Sequence, residues 1–547
     1  MMNRYSKMAC LRICVSVALC LLATAESLAQ GEPAWKEKRF AQQPGEQWWG
    51  AAVNLAHEMP FRSGAAVNLY GDNFGNQAAP LLLSSAGRYV WSEQPFRFSI
   101  EKDSLVIRYL GSDELLHGSG SSLQEAFKEA SARYFAPSGK MPDTALFTAP
   151  QYNTWIELIY DQNQDDILQY ARGIIDNGFP PGVLMIDDNW FASYGSFRFR
   201  KDRFPDARKM IEELHRMGFT VMVWVCPFIS ADTEAFREAM AKRLLLFDNK
   251  GADTLQWQNA TEPALVHWWN GYSAVLDLSN PAALQWFKEK LDVLREEYGV
   301  DGFKFDAGDA EYYTKNILAY KQVAPNDHSA LWGELGLSYP LNEYRAMWKN
   351  GGEPLVERLR DKLHTWEDLQ KLVPHACLAG MLGYPFVCPD MIGGGDFSSF
   401  IGGGKLDQDL VVRSAQCHAL MPMMQFSVAP WRVLDSVHLA AVKAAVALRA
   451  QMLPLILQLT REAARTGMPV VRSMEFQFPH QGFAEVNDQF MLGDSLLVAP
   501  VLERGPLRRV LLPKGKWKEM QTGKIFRGPV TLELKTTLDV IPCYKRV

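Results

Sequence analysis

Cysteine is scarce and poorly placed for bridging: there are eight in 547 residues. Cys10, Cys14 and Cys20 share one apolar stretch near the start, and Cys226, Cys377, Cys388, Cys417 and Cys543 are scattered behind it. That spacing excludes a disulfide framework and a zinc pattern; it is compatible with at most one bridge, Cys377 to Cys388, and equally with buried free thiols. Positive charge is also in deficit, with 57 Lys and Arg against 62 Asp and Glu and a net charge of −5. An acidic chain is not expected to bind nucleic acid. Beyond the start there is no apolar run long enough to suggest a membrane span. Internal repeats, low-complexity tracts and a Gly-x-Gly-x-x-Gly dinucleotide fingerprint are all missing.

Aromatics, by contrast, are plentiful: 12% of residues, with sixteen Trp. At the start, Arg4, Lys7 and Arg12 precede "ICVSVALCLLATA", and "SLAQ" offers small residues for cleavage after Ala29. Residues 1–29 therefore read as a signal peptide, and the product is expected to be exported, periplasmic or extracellular. Cys20 in "VALC" lacks the small residue that precedes a lipidated cysteine, so a free product with no membrane span is expected.

The length requires several domains. Residues 30–145 alternate short apolar runs with turn residues, as in "FRFSIEKDSLVIRYLG", and read as a β-rich, sandwich-like domain. From 146 to 455 strands alternate with amphipathic helices. "QYNTWIELIY" reads as a strand, "GVLMIDDNW" and "FTVMVWVCPFI" as the next two, and Asn280-Pro281 opens a helix that Gly299 closes. Repeated strand–helix units with nearly all-apolar strands predict a parallel sheet under helices, and the missing dinucleotide fingerprint favours a (β/α)₈ TIM barrel. Residues 456–547 are short strands broken by Gly and Pro, a C-terminal β-domain with no further helices.

The polar residues gather where such a barrel places an active site, at the C-terminal ends of its strands. "DGFKFDAGD" ends an apolar strand on Asp306, a costly position for a carboxylate unless it is paired or used. Lys304, two residues earlier, points to the same side and can hold Asp306 ionised. The small residues after Asp306 leave room for a ligand to approach the backbone. Asp361 lies between Arg360 and Lys362, and Asp187 and Asp390 end further strands. Carboxylates at one barrel mouth can hold a divalent metal or flank a glycosidic bond. Trp155, Trp190, Trp224 and Trp366 favour a sugar, since indole faces pack on pyranose C–H patches; no metal or cofactor is expected.

Three stretches resemble glycoside hydrolase family 31: "GVLMIDDNWFASYGSFRFRKDRFPDARKMIEELHRMGFTVMVWVCPFIS", "DKLHTWEDLQKLVPHACLAGMLGYPFVCPDMIGG" and "FMLGDSLLVAPVLERG" followed by "LPKGKWKEMQTG". The resemblance implies a secreted retaining α-glycosidase working by double displacement, with Asp306 as nucleophile and Asp361 as general acid/base. Asp187 would bind hydroxyls of the cleaved sugar, and Asp390 would support the site from its strand. Glucosidases of the family carry "Asp-Met-Asn-Glu" where this chain has "DAGD", "Gly-Asp-Asn" where it has "RDK", and "Met-Arg-Asn-His" where "MMQFSVAPW" puts Ser427 at the His position. With "YNTWIEL", these departures resemble the branch containing myogenesis-regulating glycosidase and some bacterial α-galactosidases. They imply a terminal α-galactoside, with an α-glucoside or α-xyloside as the alternative within the family. An inactive sugar-binding protein on the same scaffold, and a metal-dependent barrel enzyme, are the alternatives of other classes. The segment 312–340 after the nucleophile, and Gly393–Gly395, are expected to shape the side that holds the leaving group.

Overall fold

The computed structural model describes residues 35–111, 114–252, 254–313, 316–401 and 406–547. The expected signal peptide lies outside the described residues. Eight short parallel strands form the central sheet: β1 (Gln151–Asn153), β2 (Val183–Ile186), β3 (Thr220–Val225), β4 (Gly302–Phe305), β5 (Asn342–Tyr344), β6 (Glu357–Arg358), β7 (Val387–Cys388) and β8 (Gln425–Phe426). Each pairs with its sequence neighbour, and β8 pairs with β1. Met391, just after β7, bridges in parallel to Gln425 of β8 and closes the barrel. The interior is polar at one level: Gln425 Nε2 of β8 donates to Gln151 Oε1 of β1 at 2.8 Å and to Glu343 Oε2 of β5 at 2.9 Å.

Local sequence explains most boundaries. Asn163 and Asp206 cap the helices Gln164–Asp176 and Ala207–Arg216 by accepting from the amides of Asp166 and Lys209. Asn280 caps Pro281–Val293, whose first position is proline, and Gly299 ends that unit in the left-handed region at φ +83°. The expected strand "QYNTWIELIY" stops at Asn153, and Trp155–Leu158 is instead a helical turn. The Asn153 side chain accepts from Trp155 N at 2.8 Å, a local turn that outcompetes the strand ladder.

Helices also do not end near 455. Ser436–Thr466 runs 31 residues through Pro454 to Gly467, at φ +73°. Its Ala- and Leu-rich composition sustains it. By length and composition this helix could cross a membrane, contrary to expectation. Here its Arg449 is buried, donating to the carbonyls of Met421, Phe147 and Pro422.

The N-terminal region forms two sheets, an antiparallel one of four strands and one built around Gln77–Ser84. The second is completed by the barrel itself: Met347–Trp348, just after β5, pairs in parallel with Gln77–Ala78. The C-terminal region is a six-stranded antiparallel sheet over Met474, Phe478, Met491, Leu497, Trp517 and Tyr544. The five cysteines among the described residues are all free and buried, so of the two readings the free thiols hold and the Cys377–Cys388 bridge does not form.

Candidate active site

A cleft of about 630 Å³ opens at the C-terminal ends of the barrel strands. Asp306 follows β4 directly and is almost fully buried. Arg345 Nε donates to its Oδ1 at 2.7 Å, Trp224 Nε1 to its Oδ2 at 2.8 Å and Ala307 N to Oδ1 at 2.8 Å. Lys304 Nζ stands 3.9 Å from Oδ2. Burial pushes the Asp306 carboxyl up, but the charges of Arg345, Lys304 and Arg358, with the Trp224 bond, outweigh it and hold the group well below the usual carboxylate range. Asp306 is therefore an ionised, immobile carboxylate. The turn after it is tight: Ala307 sits at φ +57° and Gly308 at φ +77°. A Cβ on Gly308 would lie 2.3 Å from the Trp332 ring. Packing against Trp332 thus requires glycine here, a cause separate from the ligand approach expected of these small residues.

Arg345 is the residue sequence reading missed. It follows β5, pairs with Asp309 as well as Asp306, and donates to Gly75 O at 3.0 Å. Its guanidinium lies 5.2 Å from the centroid of the Trp269 ring. Lys304 Nζ donates to Asp187 Oδ2 at 2.7 Å; burial opposes the Lys304 charge, yet Asp187 and Asp306 win and raise its pKa. Asp188, next in the chain, lines the cleft as well and accepts from Asn270 Nδ2 at 2.8 Å and Tyr194 OH at 3.1 Å. Burial, then the Asp187 charge, push Asp188 up to about 7.

Across the cleft, Asp361 follows β6 with its side chain 38% exposed. Its Oδ1 accepts from Arg358 Nη1, which also donates to Asp390 Oδ1 at 3.0 Å. Asp390 Oδ2 accepts from the amides of Lys362 (2.8 Å) and Gly395 (3.0 Å). Burial and the adjacent Asp361 carboxyl push Asp390 up to about 7, against Arg358 and Lys362. A Cβ on Gly395 would fall 2.5 Å from Asp390 Oδ1 and 3.1 Å from Asp361 Oδ1, so only glycine lets the loop lie against both.

Of the residues singled out from sequence, Asp306, Asp361, Asp187, Trp155, Trp224, Lys304 and Arg360 line this cleft. Asp390 does not; it is fully buried behind Asp361. Ser427 does not either: its Oγ is buried and accepts from Ile156 N at 2.6 Å, which fixes the turn that carries Trp155. Trp155 closes that wall, its Nε1 donating to Gly395 O at 3.2 Å. Trp190 is buried and donates to Trp224 O, and Trp366 donates to Asp407. No described residue from 312 to 340 lines the cleft. The opposite lip comes instead from Trp269, at the tip of the hairpin Leu265–Trp268/Gly271–Val275, whose paired aromatics were the only signal in the sequence. Asp396 and Phe397, which follow the glycine loop, line the cleft. Among the described residues no three His, Cys, Asp or Glu side chains converge as a metal-ligand set.

Residues 144–357 and 359–459 match the TIM-barrel domain of glycosyl hydrolases family 31, and residues 467–547 match the C-terminal domain of that family. The myogenesis-regulating glycosidase of Mus musculus is 35% identical over 426 residues, 76% of this chain and 58% of the relative. Alpha-glucosidase 2 of Bacillus thermoamyloliquefaciens is 25% identical over 70% of this chain and 50% of its own. The chain spans about half the length of the curated relatives it matches. Among solved structures, a Flavobacterium johnsoniae dextranase complexed with glucose superposes with a TM-score of 0.81 at 19% identity, over 94% of this chain and 67% of that one, which establishes likeness of fold.

Proposed function

Because the chain belongs to glycosyl hydrolase family 31, we propose that it is an exported retaining α-glycosidase that removes a terminal α-linked hexose, an α-galactosyl unit by preference. One observation carries the reading: a buried, ionised Asp306 and a solvent-reaching Asp361 line one cleft, with side chains around them that suit a sugar. In the first step Asp306 attacks the anomeric carbon, the glycosidic C–O bond breaks, and the proton of Asp361 goes to the leaving oxygen. In the second, water attacks the same carbon, its proton passes to Asp361, and the Asp306 carboxylate leaves. Such a pair should lie about 5–5.5 Å apart.

Arg345 and Trp224 fix the nucleophile and favour its ionised form. Asp187 with its Lys304 partner, and Asp188, offer charged acceptors and a donor for hydroxyls, while Trp155 and Trp269 offer ring faces. The galactoside preference rests on "DAGD", "RDK" and the absence at position 427 of the histidine that family glucosidases carry. Where family glucosidases place a histidine this chain has a short buried serine, and the wall belongs to the Trp155 indole.

The test is hydrolysis of nitrophenyl α-galactoside and α-glucoside side by side, with Asp306→Asn as control. Turnover of the galactoside, lost by at least about 10⁴-fold in the variant, is the expected result. Turnover of the glucoside alone would keep the mechanism and reject the sugar. Cleavage of neither by folded protein that still binds galactose would favour a sugar-binding protein, and loss of activity in EDTA would favour a metal enzyme.

A further inference from the structure

Arg358 poses a problem that the double-displacement reading leaves open. An acid must start each cycle with its proton, yet Asp361 Oδ1 accepts from a guanidinium. Arg358 is not Asp361's alone. The same Nη1 atom serves Asp390 at 3.0 Å, and its Nε stands 3.6 Å from Glu343 Oε1 with no hydrogen-bond partner. Both other carboxyls are fully buried and fixed, Glu343 by Gln425 and Asp390 by two backbone amides. Arg358 is 1% exposed, whereas Asp361 reaches the cleft. One immobile donor thus stands between a fixed carboxyl and a movable one.

We propose that Arg358 is a positioning residue that holds Asp361 only in its deprotonated state, with Asp390 as the alternate acceptor that releases it. The inference rests on Asp361 being the acid/base. When Asp361 carries its proton, its attraction for Arg358 falls, Arg358 settles on Asp390 and Glu343, and the neutral carboxyl turns to the leaving oxygen. Once the C–O bond has broken and the proton has gone to the leaving group, the new carboxylate returns to Nη1. There it is held as the base that takes a proton from the attacking water. The other charges facing Asp361 are Lys304 from β4 and Lys362 beside it, with Asp306 lining the same cleft. Asp368 and Lys371 stand further along the same wall, as does the exposed Arg360. Of these, Lys304 also stands between two carboxyls, Asp187 at 2.7 Å and Asp306 at 3.9 Å, but neither of them is Asp361.

The experiment is the pH profile of kcat/KM on whichever nitrophenyl glycoside the wild type cleaves. In Arg358→Met the alkaline limb, where Asp361 loses its proton, should move up by about one pH unit, and Arg358→Lys should restore most of it. In Asp390→Asn the limb should move down by a similar amount, because Arg358 then has one acceptor fewer. Opposite shifts are a signature that a merely structural role would not produce. Unmoved limbs, or shifts in the same direction, overturn the proposal. If Arg358→Met does not fold, Asp390→Asn and Arg358→Lys carry the test alone. Asp361→Ala with added azide checks the underlying reading separately: without an α-glycosyl azide product Asp361 is not the acid/base, whatever Arg358 does.

Discussion

The loops after β4 and β6 both present an aspartate to the same cleft, but they hold it in opposite ways. Asp306 is clamped by Arg345, Trp224 and the Ala307 amide, and a tight turn packed on Trp332 follows it. Asp361 has one side-chain donor, which it shares, and more than a third of its surface is free. A nucleophile has to be placed and kept charged, and immobility serves both needs. An acid/base has to change protonation state twice per cycle, and a clamp of the first kind would freeze it in one. In the proposed reaction, the difference between the loops separates a clamped carboxylate that attacks from a more exposed one that trades a proton.

Arg345→Met should produce the largest combined effect and break the comparison at the β4 end. It leaves Asp306 and Asp309 buried without their cation, costing about 3–5 kcal/mol. The Asp306 carboxyl lies below its ordinary value in the folded protein. Its pairing therefore stabilises the fold above the unfolded-state value of roughly 4 and is lost as pH falls through the lower folded value. Denaturant unfolding should show the variant far weaker than wild type at pH 7, with the gap narrowing below about pH 4. An equal stability at pH 7 would remove Arg345 from the role assigned to it.

Asp361→Ala should cut turnover of a nitrophenyl glycoside by about 10²–10⁴-fold while leaving thermal unfolding nearly unchanged. A melt that fell as far as that of Arg345→Met would show the two loops to be built alike. Ser427→Ala should have the smallest effect on function. Freeing the buried Ile156 amide costs about 1–3 kcal/mol, but KM and sugar preference should stay within about twofold. A change of sugar preference would return Ser427 to the substrate.

Much of the frame could be read from local signals. Asn280 caps a helix where expected, and the apolar runs before Asp187 and Asp306 are barrel strands ending at the cleft. What escaped depends on contacts distant in sequence. Arg345 follows a strand of three residues, too short for any periodicity, and matters only because Asp306 lies 39 residues earlier. Trp269 and Asn270 belong to a hairpin whose position over the mouth is set by Asp188 and Tyr194. Ser427 aligned with a ligand-contacting position yet turns inward, because the nearby helical turn has an amide to satisfy. The helix through Pro454 was cut short in prediction because proline is a strong local stop signal that composition on both sides outweighed.

One amide group joins the N-terminal region to this chemistry. Asn76 Nδ2 donates to the carbonyls of Arg345 (2.8 Å) and Arg358 (3.0 Å), while Gly75 O receives Arg345 Nη1. A segment translated early thus waits for two arginines made some 270 and 280 residues later. Closing so long a loop belongs to the late stages of folding. The barrel can assemble its strands and still lack a finished pocket until residues 75–77 dock beside β5 and β6. Activity then reports completion of the whole molecule, so that a partly folded chain would carry both cleft aspartates and yet stay silent.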